Sequence, residues 1–414
     1  MFARAMELAL SSDPKRAMYT RSTLIALSIV LVLKVCWFSR LGFGGIRELA
    51  DFDTFYVAAQ RVWLGDIDQA YQFLKFAEMQ RQANPGAGIL LWTYPPQFAL
   101  LVAPLAFLPV GLAYLAFTAT TLGFYLLTLR SIARSYFALL LVLLFPTLAN
   151  TVGIGQNGFL TGGLMGVACM AFSNRQVVAG LALGSMVIKP HLAVALAVYT
   201  LLTRRWIVAL VAGAVVLASS LAATVLLGPG IWNAFLEGVR ESGIFLEKGV
   251  YPLHRMISPY GALRSAGLPS WAAFAAQGTV AILSIAAIMF AIRCGFASRS
   301  TLGFVAMVSV LISPYAYGYD LPVLGIGLAL LLPEIVQFGS ERERATIYGL
   351  IFIAEIYGLL QAFRLQLQDG SDYHEHMLSI SGIALVLAVI LVFRILLRSH
   401  RSKATEIAAK VTTS

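Results

Sequence analysis

Two carboxylates, Asp51 and Asp53, follow the first long apolar run of the chain, which extends from Thr23 to Phe38. An ionised carboxylate at the edge of a membrane span costs free energy, so a residue of this kind is a first candidate for a functional role. A carboxylate beside an apolar surface has its basicity raised, which suits it to take a proton from a hydroxyl group. The alternative role is a helix cap, and Asp53 is the better placed for it because an amphipathic helix follows directly.

Four further polar stretches interrupt apolar sequence. Irregular backbone at membrane depth is tolerated only where protein or a water-filled cavity covers it. We therefore expect these stretches and the one around Asp51 to line a cavity on one face of the membrane. The four stretches are GIGQNG at 153–158, KPH at 189–191, YPLHR at 251–255 and SPYAYGYD at 313–320.

Three basic residues and one further histidine in these stretches suit a phosphorylated ligand. Lys189 lies between two apolar runs, where an unpaired ammonium group is costly and a phosphate would be a fitting partner. The alternative is that Lys189 extends its ammonium group to the membrane surface. His254 and Arg255 would hold a phosphate or face lipid headgroups, and His191 would bind the substrate or be a hydrogen-bonded interior histidine.

The remaining candidates would bind a ligand mainly through hydrogen bonds. Gln156 and Asn157 carry amides that pair with sugar hydroxyls, although a glycine-rich break also allows helices to pack closely. Asp320 follows three tyrosines, of which Tyr319 is adjacent, and would orient a ligand or cap the next span. The sequence contains no metal-ligand spacing and no nucleotide-phosphate loop, so we expect neither a metal nor a cofactor.

The composition predicts a protein that lies almost entirely in a membrane. Hydrophobic residues make up 59% of the 414 residues and charged residues only 12%, which is about half the charged share of a soluble domain. A span needs roughly 20 apolar residues, and the sequence has enough such runs for about 12. We predict one all-α polytopic membrane domain over residues 1–414, with amphipathic helices in its outer loops.

The net charge of +10 does not indicate a nucleic-acid partner. Lys and Arg cluster in short loops and tails beside apolar runs, the pattern that orients spans with their basic ends in the cytoplasm. Both termini are therefore expected inside, with residues 398–414 as a basic cytoplasmic tail. The runs 97–129 and 177–203 are each long enough for one span or two short ones. The apolar composition predicts that the protein is surrounded by membrane lipids. The sequence gives no prediction of its oligomeric state.

Two outer loops follow from this orientation, at residues 40–94 and 228–269. In the first, aromatic and apolar residues recur at helical spacing and predict an amphipathic helix that Gly65 ends. A second helix is expected from about Gln69 to Gln82, ended by the Asn84-Pro85-Gly86 turn signal. Such helices would lie flat on the membrane surface.

Five motifs in order resemble glycosyltransferase family 87, the polyprenyl-phosphate-mannose-dependent alpha-mannosyltransferases of bacterial membranes, which have the GT-C fold. The resemblance implies that the first outer loop bears the catalytic acid, at the outer face of the inner membrane. The family pattern there falls on Asp51 as the general base and leaves Asp53 at a variable position. The motifs are DFDTFYVAAQRVWLGDIDQAY, WTYPPQFALLVAPLAFLP, GIGQNGFL, GLALGSMVIKPHLA and SPYAYGYDLPVL, within roughly residues 45–335.

The resemblance also implies the substrates and the reaction. Gln156 and Lys189 match family motifs, whereas Asn157 stands one place early and Tyr319-Asp320 stand where many members have Trp and His. The implied reaction is a single displacement. A sugar, expected to be mannose, passes from a polyprenyl-phosphate carrier to a lipid or glycan acceptor, and bases such as Lys189 and Arg255 hold the departing phosphate.

Two other functions are compatible with the same residues. A lipid or solute transporter, or a flippase, would use the same cavity, although the two halves of the sequence lack the matching repeats that many transporters show. A lipid-linked glycan polymerase or ligase would need a diphosphate-linked donor. The residues themselves do not distinguish mannose from glucose or arabinose, since all three present hydroxyl groups.

Overall fold

The computed structural model describes residues 2–40, 48–84, 90–367 and 377–412. These residues form α-helices joined by short turns and contain no β-strand, which confirms the all-α prediction. The helices are α1 (Phe2–Ala9), α2 (Asp13–Ser39), α3 (Asp51–Leu64), α4 (Phe73–Ala83), α5 (Pro96–Val102), α6 (Val110–Ala133), α7 (Phe137–Leu143), α8 (Phe145–Ile154), α9 (Gly158–Ala171), α10 (Gln176–Ser185), α11 (Pro190–Leu202), α12 (Trp206–Leu227), α13 (Ile231–Lys248), α14 (Pro259–Ser265), α15 (Ser270–Arg293), α16 (Ser298–Ile312), α17 (Leu321–Phe338), α18 (Glu341–Leu367) and α19 (Ser381–Thr412).

Seven helical segments within the described ranges are long and apolar enough to cross a membrane, which confirms a multi-pass helical protein. Helices suit this setting because they satisfy their own backbone hydrogen bonds in lipid. The seven are Asp13–Ser39, Val110–Leu143, Trp206–Leu227, Ser270–Arg293, Gly318–Phe338, Glu341–Arg364 and Ser381–Lys403. Five shorter apolar segments of 10–17 residues accompany them: Pro96–Phe107, Gly158–Ala171, Gln176–Ile188, Pro190–Leu202 and Ser298–Ile312.

The two apolar runs that could each form one span or two short ones are both broken in the structure. In the run 97–129, Pro109 is the N-cap of α6 and separates it from α5 and a short 3-10 turn. In the run 177–203, a 3-10 turn and Lys189 separate α10 from α11, whose first residue is Pro190. Proline lacks an N–H group and is tolerated at a helix start but not in its interior, so each of these prolines begins a new helix.

The segment 40–94, predicted as the first outer loop, contains both predicted helices in its described part, with shifted boundaries. Gly65 ends α3 with a φ of 76°, as its sequence position predicts. The predicted position of Asp53 before this helix is wrong, because α3 already begins at Asp51. Asp53 is instead in the first turn, where its Oδ2 accepts the Ala50 N–H at 2.8 Å. The second helix, α4, ends at Ala83; Pro85 and Gly86 of the predicted turn lie outside the described residues.

Helix α3 is packed against the bundle through its aromatic face. Phe52 and Phe55 are fully buried, and burying a phenylalanine contributes about 1.5–3 kcal/mol. The Phe52 ring lies 5.4 Å from Phe38 of α2 and 5.5 Å from Tyr114 of α6, and Phe55 lies 4.9 Å from Phe98 of α5. The first residue of α3, Asp51, is therefore held on a well-packed support.

Helix α17 runs through the centre of the bundle. Nearly all of its side chains are buried, against α6, α9 and α16. The helix begins at Leu321, directly after Asp320. The most deeply buried of the seven long segments thus fixes the position of that carboxylate.

Candidate active site

A cavity of about 510 Å³ lies between α3, the first turn of α11, and the segments around Gln156, Arg255 and Tyr317. The structure brings seven of the ten sequence-predicted site residues to its wall, although they come from five separate parts of the chain. The seven are Asp51, Gln156, Lys189, His191, Arg255, Tyr319 and Asp320.

The other three predicted residues lie outside the cavity wall. Asp53 caps α3 from within its first turn. Asn157 is fully buried at the start of α9, and its side-chain nitrogen and oxygen have no hydrogen-bond partner among the described residues. His254 is buried and engaged in another contact. The structure thus gives these three side chains no direct access to a ligand in the cavity.

Asp51 is held by Gln156. The Gln156 Nε2 donates to Asp51 Oδ1 at 3.2 Å. The Gln156 Oε1 accepts two hydrogen bonds, from the Tyr94 hydroxyl and from the Asn157 backbone N–H, each at 3.0 Å. Because these two donors fix the amide oxygen, the amide nitrogen has to point at the carboxylate. Gln156 is therefore a positioning residue for Asp51.

Glycines bring the neighbouring segments close enough for this contact. Gly155 ends α8 with a φ of 69°, and a Cβ there would lie 2.7 Å from the Phe52 Cβ. A Cβ on Gly158 would lie 1.8 Å from the Tyr319 carbonyl oxygen. Only glycine fits at such distances. The GIGQNG stretch is therefore clamped between the Asp51 helix on one side and the Tyr319 segment on the other.

The surroundings of Asp51 favour its protonated form. Burial raises the pKa of the Asp51 carboxyl above its ordinary value, and the positive charge of Arg255 is the strongest influence in the opposite direction. The hydrogen bond from Gln156 and the charge of Lys189 also lower this pKa. A carboxylate with a raised pKa is a stronger base, which is what proton abstraction from a hydroxyl requires.

The contact with Gln156 predicts a change in pH dependence. In Gln156→Leu the pKa of Asp51 rises further, because a donor to its charged form is lost. Since the base works only when deprotonated, the acidic limb of the profile of kcat/KM against pH should move to higher pH. Activity near neutral pH should fall about tenfold, as expected for a lost hydrogen bond to a charged group. The exposed Gln82, replaced as Gln82→Leu, is the control; an unmoved acidic limb in Gln156→Leu would refute the positioning role.

Lys189 and Asp320 form a buried ion pair. The Lys189 Nζ donates to Asp320 Oδ1 at 2.6 Å, and the two side chains are 7% and 1% exposed. The other oxygen, Oδ2, accepts the Tyr317 N–H at 3.2 Å. The ammonium group also lies 4.5 Å from the centre of the Tyr319 ring. Asp320 is thus fully engaged, so Asp51 is the better candidate for a base.

Arg255 is a second cation at the cavity wall. Its guanidinium group makes no hydrogen bond or ion pair with any residue in the described ranges. The backbone next to it is fixed, because the Ile257 N–H donates to the Ala316 carbonyl at 2.9 Å and Ser379 Oγ donates to the Met256 carbonyl at 2.8 Å. Arg255 is therefore a well-positioned cation available to an anionic ligand.

Four tyrosines that sequence reasoning did not select also line the cavity: Tyr94, Tyr251, Tyr315 and Tyr317. The Tyr317 ring stacks on Tyr319 with a centroid distance of 5.4 Å, and Tyr251 meets Tyr315 edge-on at 4.9 Å. Burial raises the pKa of all four hydroxyls, so they stay protonated and can donate hydrogen bonds. For Tyr315 and Tyr317 the signal in the sequence is YAYGYD, in which tyrosines recur at every second residue beside the predicted Tyr319 and Asp320.

Much of the remaining lining of the cavity is apolar. It comes mainly from α13, with further side chains from α4 and the adjoining loops. The Glu241 Oε2 of α13 accepts the Phe73 N–H of α4 at 3.1 Å, which ties the two helices together. The cavity lining therefore combines charged and polar side chains with apolar ones. The apolar lining includes Phe73, Leu90, Leu91, Phe235, Val239, Phe245 and Val250.

These features define a multi-pass helical membrane protein with a partly enclosed site of mixed charge. The sequence model of glycosyltransferase family 87 matches residues 92–314, which is more than half of the 414-residue chain. The chain belongs to this family and is a membrane glycosyltransferase. No curated protein and no solved structure matches it.

The matched region covers part of the cavity. Gln156, Lys189 and Arg255 lie inside it, whereas Asp51 and Asp320 lie outside. The two carboxylates are thus connected to the family region by contact: Asp51 through Gln156 and Asp320 through Lys189.

Proposed function

We propose that this protein transfers a sugar from a polyprenyl-phosphate carrier to a hydroxyl group of a lipid or glycan acceptor, with Asp51 as the general base. The observation that carries the proposal is the composition of the cavity wall. The wall combines a basic carboxylate and two cations with a large set of apolar side chains. A sugar phosphate with a lipid tail has the same combination of polar and apolar parts.

The proposed chemistry is a single displacement. The acceptor hydroxyl gives its proton to the Asp51 carboxylate while its oxygen attacks the anomeric carbon of the sugar. The bond from that carbon to the phosphate oxygen breaks, and its electron pair stays on the phosphate. Single displacement inverts the configuration at the anomeric carbon. No general acid is required, because the leaving group departs as an anion.

The phosphate gains negative charge as the sugar leaves, so a cation beside it stabilises the transition state. Arg255 supplies that charge in the proposal, since no described residue pairs with it. Lys189 supplies a second cation, but its charge is shared with Asp320. The hydroxyls of Tyr94 and Tyr317 and the imidazole of His191 remain to orient sugar hydroxyl groups.

The finer assignments follow the family resemblance and the distribution of charge. We propose mannose as the sugar, no metal requirement, and a GT-C arrangement in which the seven long and five shorter apolar segments cross the membrane. The basic residues at the ends of the spans support our proposal that the cavity lies at the outer face of a bacterial inner membrane.

Arg255→Gln should lower kcat/KM by about 10- to 100-fold, the size expected for a lost charge-assisted hydrogen bond. It should also move the acidic limb of the pH profile upward, because Arg255 lowers the pKa of Asp51. Steady-state kinetics across pH measure both effects. The exposed Arg81 of α4, replaced as Arg81→Gln, is the control for loss of an arginine charge; an Arg255 variant with wild-type kinetics would remove this residue from the phosphate site.

Purified protein in liposomes tests the proposed function against transport. The donor is a polyprenyl-phosphate mannose labelled in the sugar, and the acceptor is a lipid extract from cells that lack this protein. We expect labelled product on the side where both substrates are present, without movement of intact donor between leaflets. Movement of donor without bond cleavage would overturn the enzyme assignment, and dependence on a diphosphate-linked glycan would indicate a polymerase or ligase.

A further inference from the structure

The end of the bundle away from the catalytic cavity carries its own pocket. Helix α2 connects the two ends: Phe38 stacks on Tyr114 at 4.3 Å, beside the helix that bears Asp51. From Phe38 back to Arg16 the helix extends about 33 Å at a rise of about 1.5 Å per residue. This length matches the hydrocarbon core of a bilayer, about 30 Å. The pocket at Arg16 is therefore at the opposite membrane surface.

Arginines dominate this pocket, which has a volume of about 640 Å³ between α2, the end of α6 and the start of α7. Arg16 is paired with Asp13, the one acidic residue of the described pocket wall. The side chains of Arg21, Arg130 and Arg134 make no hydrogen bond or ion pair with any residue that the structure describes. Such a group of like charges repels itself unless an anion binds there.

An apolar stripe begins in the same pocket and runs along α2 toward the other membrane surface. Ile25 lines the pocket and is 50% exposed, and Ile29 and Val32 beyond it are 53% and 60% exposed. Spacings of four and three residues place these side chains on one face of the helix. The arginines and the stripe thus form a continuous surface with a cationic head and an apolar groove.

We propose that this surface binds one anionic phospholipid. Arg21, Arg130 and Arg134 hold the phosphodiester of its headgroup, and an acyl chain lies along Ile25, Ile29 and Val32. Arginine suits this role because its guanidinium group binds phosphate oxygens in pairs. The ligand is a lipid rather than a soluble phosphate because the apolar stripe continues directly from the charged pocket. The site is distinct from the proposed sugar-transfer cavity and does not depend on that function.

Native mass spectrometry of the full chain released from nanodiscs tests the proposal. The nanodiscs contain equal amounts of phosphatidylglycerol and phosphatidylcholine. The test variant is Arg130→Gln/Arg134→Gln, and the matched control is Arg175→Gln/Arg293→Gln, which removes the same charge from exposed positions at the same end of the bundle. Arg21→Gln, on the exposed face of α2, provides a single substitution should the double variant fold poorly.

The wild type and the control should each retain one phosphatidylglycerol, in at least tenfold preference over phosphatidylcholine, and the pocket variants should lose that preference. Millimolar inorganic phosphate should not displace the lipid. Equal retention of both lipids by the wild type would overturn the proposal. So would an equal loss in the control pair, which would show a general effect of charge, or complete displacement by phosphate, which would show a site for a soluble anion.

Discussion

Asp51→Asn should abolish sugar transfer while the protein stays folded in the membrane. The substitution removes the proposed base but keeps the size of the side chain and an oxygen that can accept the hydrogen bond from Gln156. Positioned general bases contribute about 10²- to 10⁴-fold to rates, so turnover should fall by at least 100-fold. The measurement is transfer of labelled sugar by membranes that contain equal amounts of wild-type and variant protein.

Asp53→Asn is the matched control, two residues away in the same helical turn. Its carboxylate accepts the Ala50 N–H at 2.8 Å and does not line the cavity. We expect a loss of about 0.5–2 kcal/mol in stability, as for a weakened helix cap, with transfer largely retained. An Asp51→Asn protein with activity within tenfold of the wild type, or an Asp53→Asn protein that is equally inactive, would show that the base has been assigned to the wrong residue.

Lys189→Met should cause the largest loss of stability of any single change in the site. It leaves the Asp320 carboxylate, which is 1% exposed, without its cation. Breaking a buried pair in this way costs about 3–5 kcal/mol, whereas replacing both partners with apolar residues is often neutral. We therefore expect the thermal unfolding midpoint in detergent to fall sharply in Lys189→Met and to recover in Lys189→Met/Asp320→Leu.

Transfer activity separates the two possible roles of this pair. If Lys189 also contacts the donor phosphate, the stable double variant should remain at least tenfold less active than the wild type. The exposed Lys75, replaced as Lys75→Met, controls for loss of a positive charge away from the cavity. A double variant with full activity would restrict Lys189 to structure and leave Arg255 as the phosphate cation. An unchanged unfolding midpoint in Lys189→Met would contradict the buried pair itself.

The features of the fold that depend on local chemistry could be predicted from the sequence. Gly65 ends α3 because the chain there adopts a positive φ that glycine tolerates best, and Pro190 begins α11 because proline is best tolerated in the first turn of a helix. Polar interruptions of apolar sequence predicted a common cavity, since buried polar groups need one another or water. These predictions depend either on residues that are close in sequence or on the cost of unpaired polar groups in a membrane.

The contacts between distant segments could not be predicted. Lys189 and Asp320 are 131 residues apart, and nothing local in either stretch identifies the other as its partner. The same holds for Tyr94, which fixes Gln156 from 62 residues away. As a result, sequence reasoning offered Lys189 only a phosphate or the membrane surface, whereas the folded chain gives it the Asp320 carboxylate.

A single displacement from a polyprenyl-phosphate sugar can be recognised from the products of one reaction. Purified wild-type protein is incubated with donor and an acceptor extract, and lipid mass spectrometry and NMR follow both products. We expect one polyprenyl phosphate to be released for each sugar transferred, with the anomeric configuration inverted relative to the donor. Retention of configuration, or release of a polyprenyl diphosphate, would contradict it.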